Sequence, residues 1–143
     1  MMANLFGNVL KAHQWIYENS HGALGHKLLF GNPTLLLRSM GRKTGQERTN
    51  ALTYARDGRN YLVTASNGGS PRPPGWLANV KSHPQCEIQI GTQRIPVTAT
   101  ATYPQNPEYA RRFQLVDKVN KGRYTQYQTM TSRPIAVVVL TPR

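Results

Sequence analysis

Thr34-Leu35-Leu36-Leu37-Arg38-Ser39-Met40-Gly41-Arg42-Lys43-Thr44-Gly45-Gln46-Glu47-Arg48 is the stretch on which the fold turns. Thr34 to Ser39 is a short apolar run, and it stops at a turn bounded by Gly41 and Gly45. From Arg48 to Ala55 the residue types alternate, as a half-buried strand requires. Two strands joined by so short a polar turn pair as an antiparallel hairpin. The turn and its flank also concentrate three cations, Arg42, Lys43 and Arg48.

The same grammar continues downstream. Asp57-Gly58 is a turn signal, and Asn60 to Ser66 is β-rich and apolar. A small-residue loop, Ser66-Asn67-Gly68-Gly69, runs into Pro71, Pro73 and Pro74. Gly75 to Ser82 reads as a short helix closed by His83-Pro84. Cys86 to Ile90 and Arg94 to Thr102 form a further hairpin around Gly91-Thr92. Pro107 to Val119 reads as a helix with Pro107 in its first turn, and Ile135 to Thr141 as a last core strand.

Upstream, Leu5 to Ser20 is amphipathic, with Phe6, Val9, Leu10, Ile16 and Tyr17 at helical spacing. Its plain reading is a helix packed on the core or on a partner. Weak peripheral membrane contact, or a lid over the site, is the alternative. The expected architecture is therefore mainly β with flanking helices (α+β). About six largely antiparallel strands close into a small barrel. The whole chain, 1–143, forms one domain, with residues 1–31 as helix and link and 32–143 as barrel.

Lys and Arg total 18 against 6 for Asp and Glu, a formal charge of +12. Such a balance favours a polyanionic ligand, nucleic acid or an anionic membrane. Two loops that offer backbone N–H groups and cations make a receptacle for a phosphorylated ligand. Nearby Trp76 could stack on a planar ring. The aromatics form no stacking row of the kind that binds single strands, which argues against a nucleic-acid module. The single cysteine, Cys86, excludes an internal disulfide and a Cys-based zinc site. The four histidines show no metal-ligand spacing, so no metal is expected. No segment approaches the about 20 apolar residues of a membrane-spanning helix, and no leader-like apolar core is visible. A soluble cytoplasmic protein is the expectation.

In their order and spacing these elements resemble the deazaflavin (coenzyme F-420)-dependent nitroreductase family of the flavin/deazaflavin oxidoreductases. The carriers are Gly41-Arg42-Lys43-Thr44-Gly45 with Arg48, Ala65-Ser66-Asn67-Gly68-Gly69, and Trp76-Leu77-Ala78-Asn79-Val80 with His83-Pro84. Tyr124, Tyr127 and Arg133-Pro134-Ile135 complete the set. The resemblance implies a split β-barrel that holds coenzyme F-420, an 8-hydroxy-5-deazaflavin with a phosphate and a poly-glutamate tail. It assigns Arg42, Lys43 and Arg48 to the phosphate and tail, with Thr44 beside them among the cofactor-binding residues. Ser66, Asn67, Gly68 and Gly69 would lie along ring and phosphate, with Trp76 and Asn79 around the pocket. Asn67 stands where the family often has a lysine.

The implied chemistry is hydride transfer from the reduced deazaflavin to a quinone, a nitroaromatic or an α,β-unsaturated lactone or ester. The developing anion needs a hydroxyl or N–H partner. Tyr127, then Tyr124 and Ser66, are the candidate catalytic groups. Split barrels also bind FMN or haem, and a non-catalytic deazaflavin-binding protein would carry the same cradle. Those remain the alternatives at the level of sequence.

Overall fold

The structure, a computed structural model, describes residues 31–143. The expected N-terminal helix, with its membrane-contact and lid readings, lies outside the described residues. Strands are β1 (Thr34–Met40), β2 (Glu47–Thr53), β3 (Ala55–Asp57), β4 (Asn60–Thr64), β5 (Gln85–Ile90), β6 (Gln93–Thr102) and β7 (Val137–Pro142). Helices are α1 (Gly75–Ser82), α2 (Tyr109–Val119) and α3 (Arg123–Gln128). All strand pairs are antiparallel, in one sheet of order β2-β1-β5-β6-β7-β4-β3.

That order explains the curl. The two edge strands, β2 and β3, are separated in sequence by Tyr54 alone. A flat sheet of seven strands would hold its edges far apart, since neighbouring strands lie about 4.8 Å from one another. One residue cannot span that gap, so the sheet curls until its edges meet. Tyr54 makes the corner: its N–H leaves the ladder to donate to the Pro33 carbonyl at 3.1 Å. Its ring packs edge-on to Tyr61 at 5.7 Å. This corner divides the run expected as one strand into two, and raises the expected six strands to seven.

Leu35, Leu37, Val63, Ile88, Val97, Val138 and Leu140 fill the inside of the curl, closed by Trp76, Leu77 and Val80 of α1. A second cluster lies outside it. Leu62, Val137 and Val139 turn their other face to Val116 of α2 and Tyr124 of α3, with Phe113 and Tyr127 packed against them. Strands β4 and β7 are thus apolar on both faces, which is why they read as continuous runs.

Two boundaries differ from expectation. Helix α2 begins at Tyr109, so Pro107 precedes it instead of entering its first turn. The Asn106 side chain accepts the Glu108 N–H at 2.8 Å and holds that segment as a turn. Strand β7 begins at Val137 because the Ile135 N–H donates to Gln128 Oε1 at 2.9 Å, outside the sheet. Helix α3 was not legible as a helix. Its sequence is polar, and its start is held from outside, by Asp117 accepting from the Thr125 N–H at 3.1 Å and hydroxyl at 2.6 Å. No helix among the described residues is long and apolar enough to cross a membrane.

Candidate cofactor site

The β1–β2 turn closes on itself through Gly41 N–H to Gln46 carbonyl and Gly45 N–H to Gly41 carbonyl, each 2.8 Å. Gly45 takes φ +70°, which glycine adopts without strain. A Cβ on Gly41 would stand 2.9 Å from Thr44 Oγ1, so this turn leaves no room for a larger residue. The Thr44 hydroxyl is used within the turn, where it accepts the Gln46 N–H at 3.2 Å.

Asn79 of α1 ties the turn to the helix. Its Oδ1 accepts from the Arg42 N–H at 3.1 Å and from Arg42 Nη1 at 3.2 Å. The same guanidinium reaches the Gly75 carbonyl at 3.4 Å. Arg42 is therefore partly committed to structure, while Lys43 and Arg48 stand exposed without an ion pair among the described residues. Removing the Asn79 acceptor should cost about 1 kcal/mol of stability, the worth of a net hydrogen bond with its lost partner. Urea denaturation of Asn79→Ala should show a lowered midpoint, and Asn79→Asp, which keeps the acceptor, should recover most of it. An unchanged midpoint for Asn79→Ala would remove the tie.

Between the turn, the start of α1 and the proline-rich loop lies an open cleft of about 930 Å³. Seven of the sequence-selected residues line it: Arg42, Lys43, Thr44, Arg48, Asn67, Trp76 and Asn79. Gly41, Glu47, Thr49 and Asn50 join them, as do Pro73, Pro74 and Gly75 of the proline-rich loop, whose composition marks it in the sequence as shaping the entrance; Thr49 and Asn50 carry no such signal. Trp76 is only 5% exposed and belongs to the inner core, so it serves as wall and floor and not as a free stacking platform. Ser66, Gly68 and Gly69 belong to the adjoining loop but do not line the cleft itself.

That loop is a single 3-10 turn, with Asn67, Gly68 and Gly69 all at positive φ. Gly69 N–H donates to the Ser66 carbonyl at 2.9 Å and Ser70 N–H to the Asn67 carbonyl at 3.1 Å. The Asn67 side chain donates to the Arg72 carbonyl at 2.9 Å. Loop carbonyls are also gathered by Arg133, a carrier of the family resemblance with no role legible in the sequence.

The two tyrosines separate. Tyr124 is 6% exposed inside the outer cluster, with its hydroxyl facing Thr64 and Thr53 and its pKa pushed up by burial. The apolar face of α3 packs on the sheet, and Tyr124 is on that face. Tyr127, one turn on, is half-buried, and its hydroxyl has no hydrogen-bond partner among the described residues. Its ring meets that of Tyr124 edge-on at 6.2 Å. Cys86 is buried and its thiol is pushed up to about 11 by burial, which leaves it inert as a nucleophile.

Comparison with known proteins places the chain in context. The family profile described as F420H2-dependent quinone reductase matches residues 9–142. An F420H2-dependent quinone reductase of Mycobacterium tuberculosis is 51% identical over 135 residues, which span 94% of this chain and 91% of the relative. Among solved structures, an F420-H2 dependent reductase (FDR-A) matches with TM-score 0.68 at 31% identity, over 76% of this chain and 93% of that one. A structure described as a domain-swapped dimer matches with TM-score 0.68 at 28% identity, over 89% of this chain and 97% of that one. The curled seven-stranded sheet is the split barrel of these reductases.

Proposed function

The chain belongs to the F420H2-dependent quinone reductase family, and from that membership we propose that its cleft holds the phosphate and tail of coenzyme F-420, with the ring and a quinone acceptor beyond it toward Tyr127. The observation that carries this reading is one open cleft lined both by Lys43 and Arg48, which have no ion pair among the described residues, and by Asn67 of the glycine loop. The group fits these residues. A phosphate and an acidic tail need cations that are not already neutralised, and Lys43 and Arg48 meet that need. An open mouth suits a tail that extends into solvent. Family membership selects F-420 over the FMN and haem alternatives.

When bound and reduced, the deazaflavin supplies a hydride to the acceptor. The protein binds and orients. Lys43 and Arg48 hold negative charge, Asn79 keeps the turn against α1, and Trp76 gives the cleft a dry wall. Tyr127 is the group we assign to the acceptor side, because its hydroxyl has no hydrogen-bond partner among the described residues and its ring is half-buried, whereas Tyr124 is buried facing Thr64 and Thr53. Ser66 and the loop amides are the remaining donors to a developing oxyanion.

The test is a fluorescence titration followed by turnover. F-420 should bind at least about tenfold more tightly than FMN, which carries less negative charge, with an advantage that shrinks as salt rises. Reduced F-420 should then be oxidised by added quinone. Equal affinity for F-420 and FMN, or binding without turnover on any quinone, would return the protein to the alternatives of an FMN protein or a passive deazaflavin carrier.

A further inference from the structure

Arg133 lies in the turn between α3 and β7 and does not line the cleft. Its guanidinium donates to four carbonyls of one loop. Nε reaches Ser70 O at 3.0 Å, Nη1 reaches Ala65 O at 3.1 Å, and Nη2 reaches Ser66 O at 2.8 Å and Arg72 O at 3.4 Å. A planar guanidinium with five N–H donors is suited to gathering acceptors from several directions.

The turn that carries Arg133 is itself fixed. Gln128 of α3 donates from Nε2 to the Arg133 carbonyl at 2.8 Å and to the Thr131 carbonyl at 3.3 Å. Its Oε1 accepts the Ile135 N–H at 2.9 Å. One side chain thus pins the backbone on both sides of Arg133 and leaves the guanidinium little freedom.

The consequence lies on the far side of the loop. In a planar trans peptide the C=O and the following N–H point in opposite directions. The carbonyls of Ala65 and Ser66 are drawn toward Arg133, so the N–H groups of Ser66 and Asn67 are turned away from it. Neither N–H has a hydrogen-bond acceptor among the described residues. Asn67 lines the cleft. Successive N–H groups displayed together in this way make an anion-binding concavity.

We propose that Arg133 is the positioning residue for the cofactor's phosphate: it holds the 65–72 loop so that the Ser66 and Asn67 amides face the cleft as anion donors. This rests on the assignment of the cleft to F-420. The charge sits behind the loop, on Arg133, and the amides in front make the contact. Arg133 touches no reacting atom in this scheme and acts only through the loop.

The experiment compares Arg133→Met and Arg133→Lys with wild type in two ligand titrations. One uses F-420, and the other uses the ribityl 8-hydroxy-5-deazaflavin that lacks phosphate and tail. Arg133→Met should lose at least about tenfold in affinity for F-420, the scale of one charge-assisted contact or more. Its affinity for the phosphate-free ring should change little. Arg133→Lys, with one ammonium in place of a fork, should fall between. Hydrogen exchange on the free protein gives a readout without cofactor: the Gly69 and Ser70 amides should exchange faster in both variants, with the β-strand amides unchanged. An equal loss for both ligands would reduce Arg133 to a general structural role and overturn the proposal, as would F-420 binding at wild-type strength. If Arg133→Met does not fold, Arg133→Lys decides by the same comparison. Failure of wild type to bind F-420 would overturn the cofactor assignment instead, and the exchange data would still decide whether Arg133 orders the loop.

Discussion

Tyr127→Phe is expected to lower turnover of reduced F-420 with quinone by about 10²-fold, the lower end of general acid–base effects. The substitution removes one oxygen and keeps the ring, so its packing against Tyr124 and the outer cluster survives. The hydroxyl has no partner among the described residues, so its loss should leave stability nearly unchanged. Affinity for F-420 should also hold, because Tyr127 does not line the cleft where Lys43 and Arg48 stand. The expected signature is a fall in kcat at constant cofactor Kd and constant Tm. Tyr124→Phe should give the opposite pattern. It removes a buried hydroxyl that faces Thr53 and Thr64, so stability should drop while turnover of the folded protein persists. Full turnover in Tyr127→Phe with several quinones would leave that residue as packing alone, with protonation coming from water.

The second large effect should come from Gly69→Ala. Gly69 takes φ +81°, and an added Cβ would stand 2.8 Å from the Tyr127 carbonyl oxygen and 3.0 Å from Met130 Cβ. The left-handed conformation costs an alanine about 1–2 kcal/mol. The collision adds to this, because the carbonyl it meets is helix backbone and cannot swing aside. The loop cannot retreat either, since Gly69 N–H is bonded to Ser66 O and that oxygen is also held by Arg133. Gly68→Ala is the control. Gly68 has φ +64° with nothing within 4 Å of an added Cβ, so it carries the conformational cost without the collision. Gly69→Ala should therefore lower Tm by several degrees more than Gly68→Ala, since about 1 kcal/mol shifts Tm by about 4 °C at this size. It should also weaken F-420 binding by at least about tenfold, because the displaced loop carries the Ser66 and Asn67 amides. Equal Tm values for the two variants would show that close approach of α3 to the loop is not what Gly69 protects.

The position of Gly69 explains why α3 matters to a cleft that it does not line. The helix packs its Tyr124 face on the sheet, presses the Tyr127 carbonyl against Gly69, and through Gln128 aims Arg133 at the loop. The 65–72 loop and α3 are thereby one mechanical unit.

Local physics, readable in the chain, determined most of the elements. The apolar run Thr34–Ser39 before a glycine-bounded turn, the Asp57-Gly58 hairpin and the Val-rich terminal run each specify a strand without help from the rest of the molecule. So does the clustering of Arg42, Lys43 and Arg48, because turn residues sit together wherever the turn sits. The tertiary structure decided what depends on contacts far apart in sequence. Tyr54 becomes a corner only because β2 and β3 must occupy opposite edges of one sheet. The polar segment 123–128 becomes a helix because Asp117 holds its start and the sheet covers Tyr124. Trp76 is core because α1 closes the inside of the curl. Arg133 is 68 residues from Ala65 and 61 from Arg72, so no periodicity or spacing could pair them. Side-chain periodicity reports which face of an element is buried, and says nothing about which distant carbonyls a single guanidinium will gather.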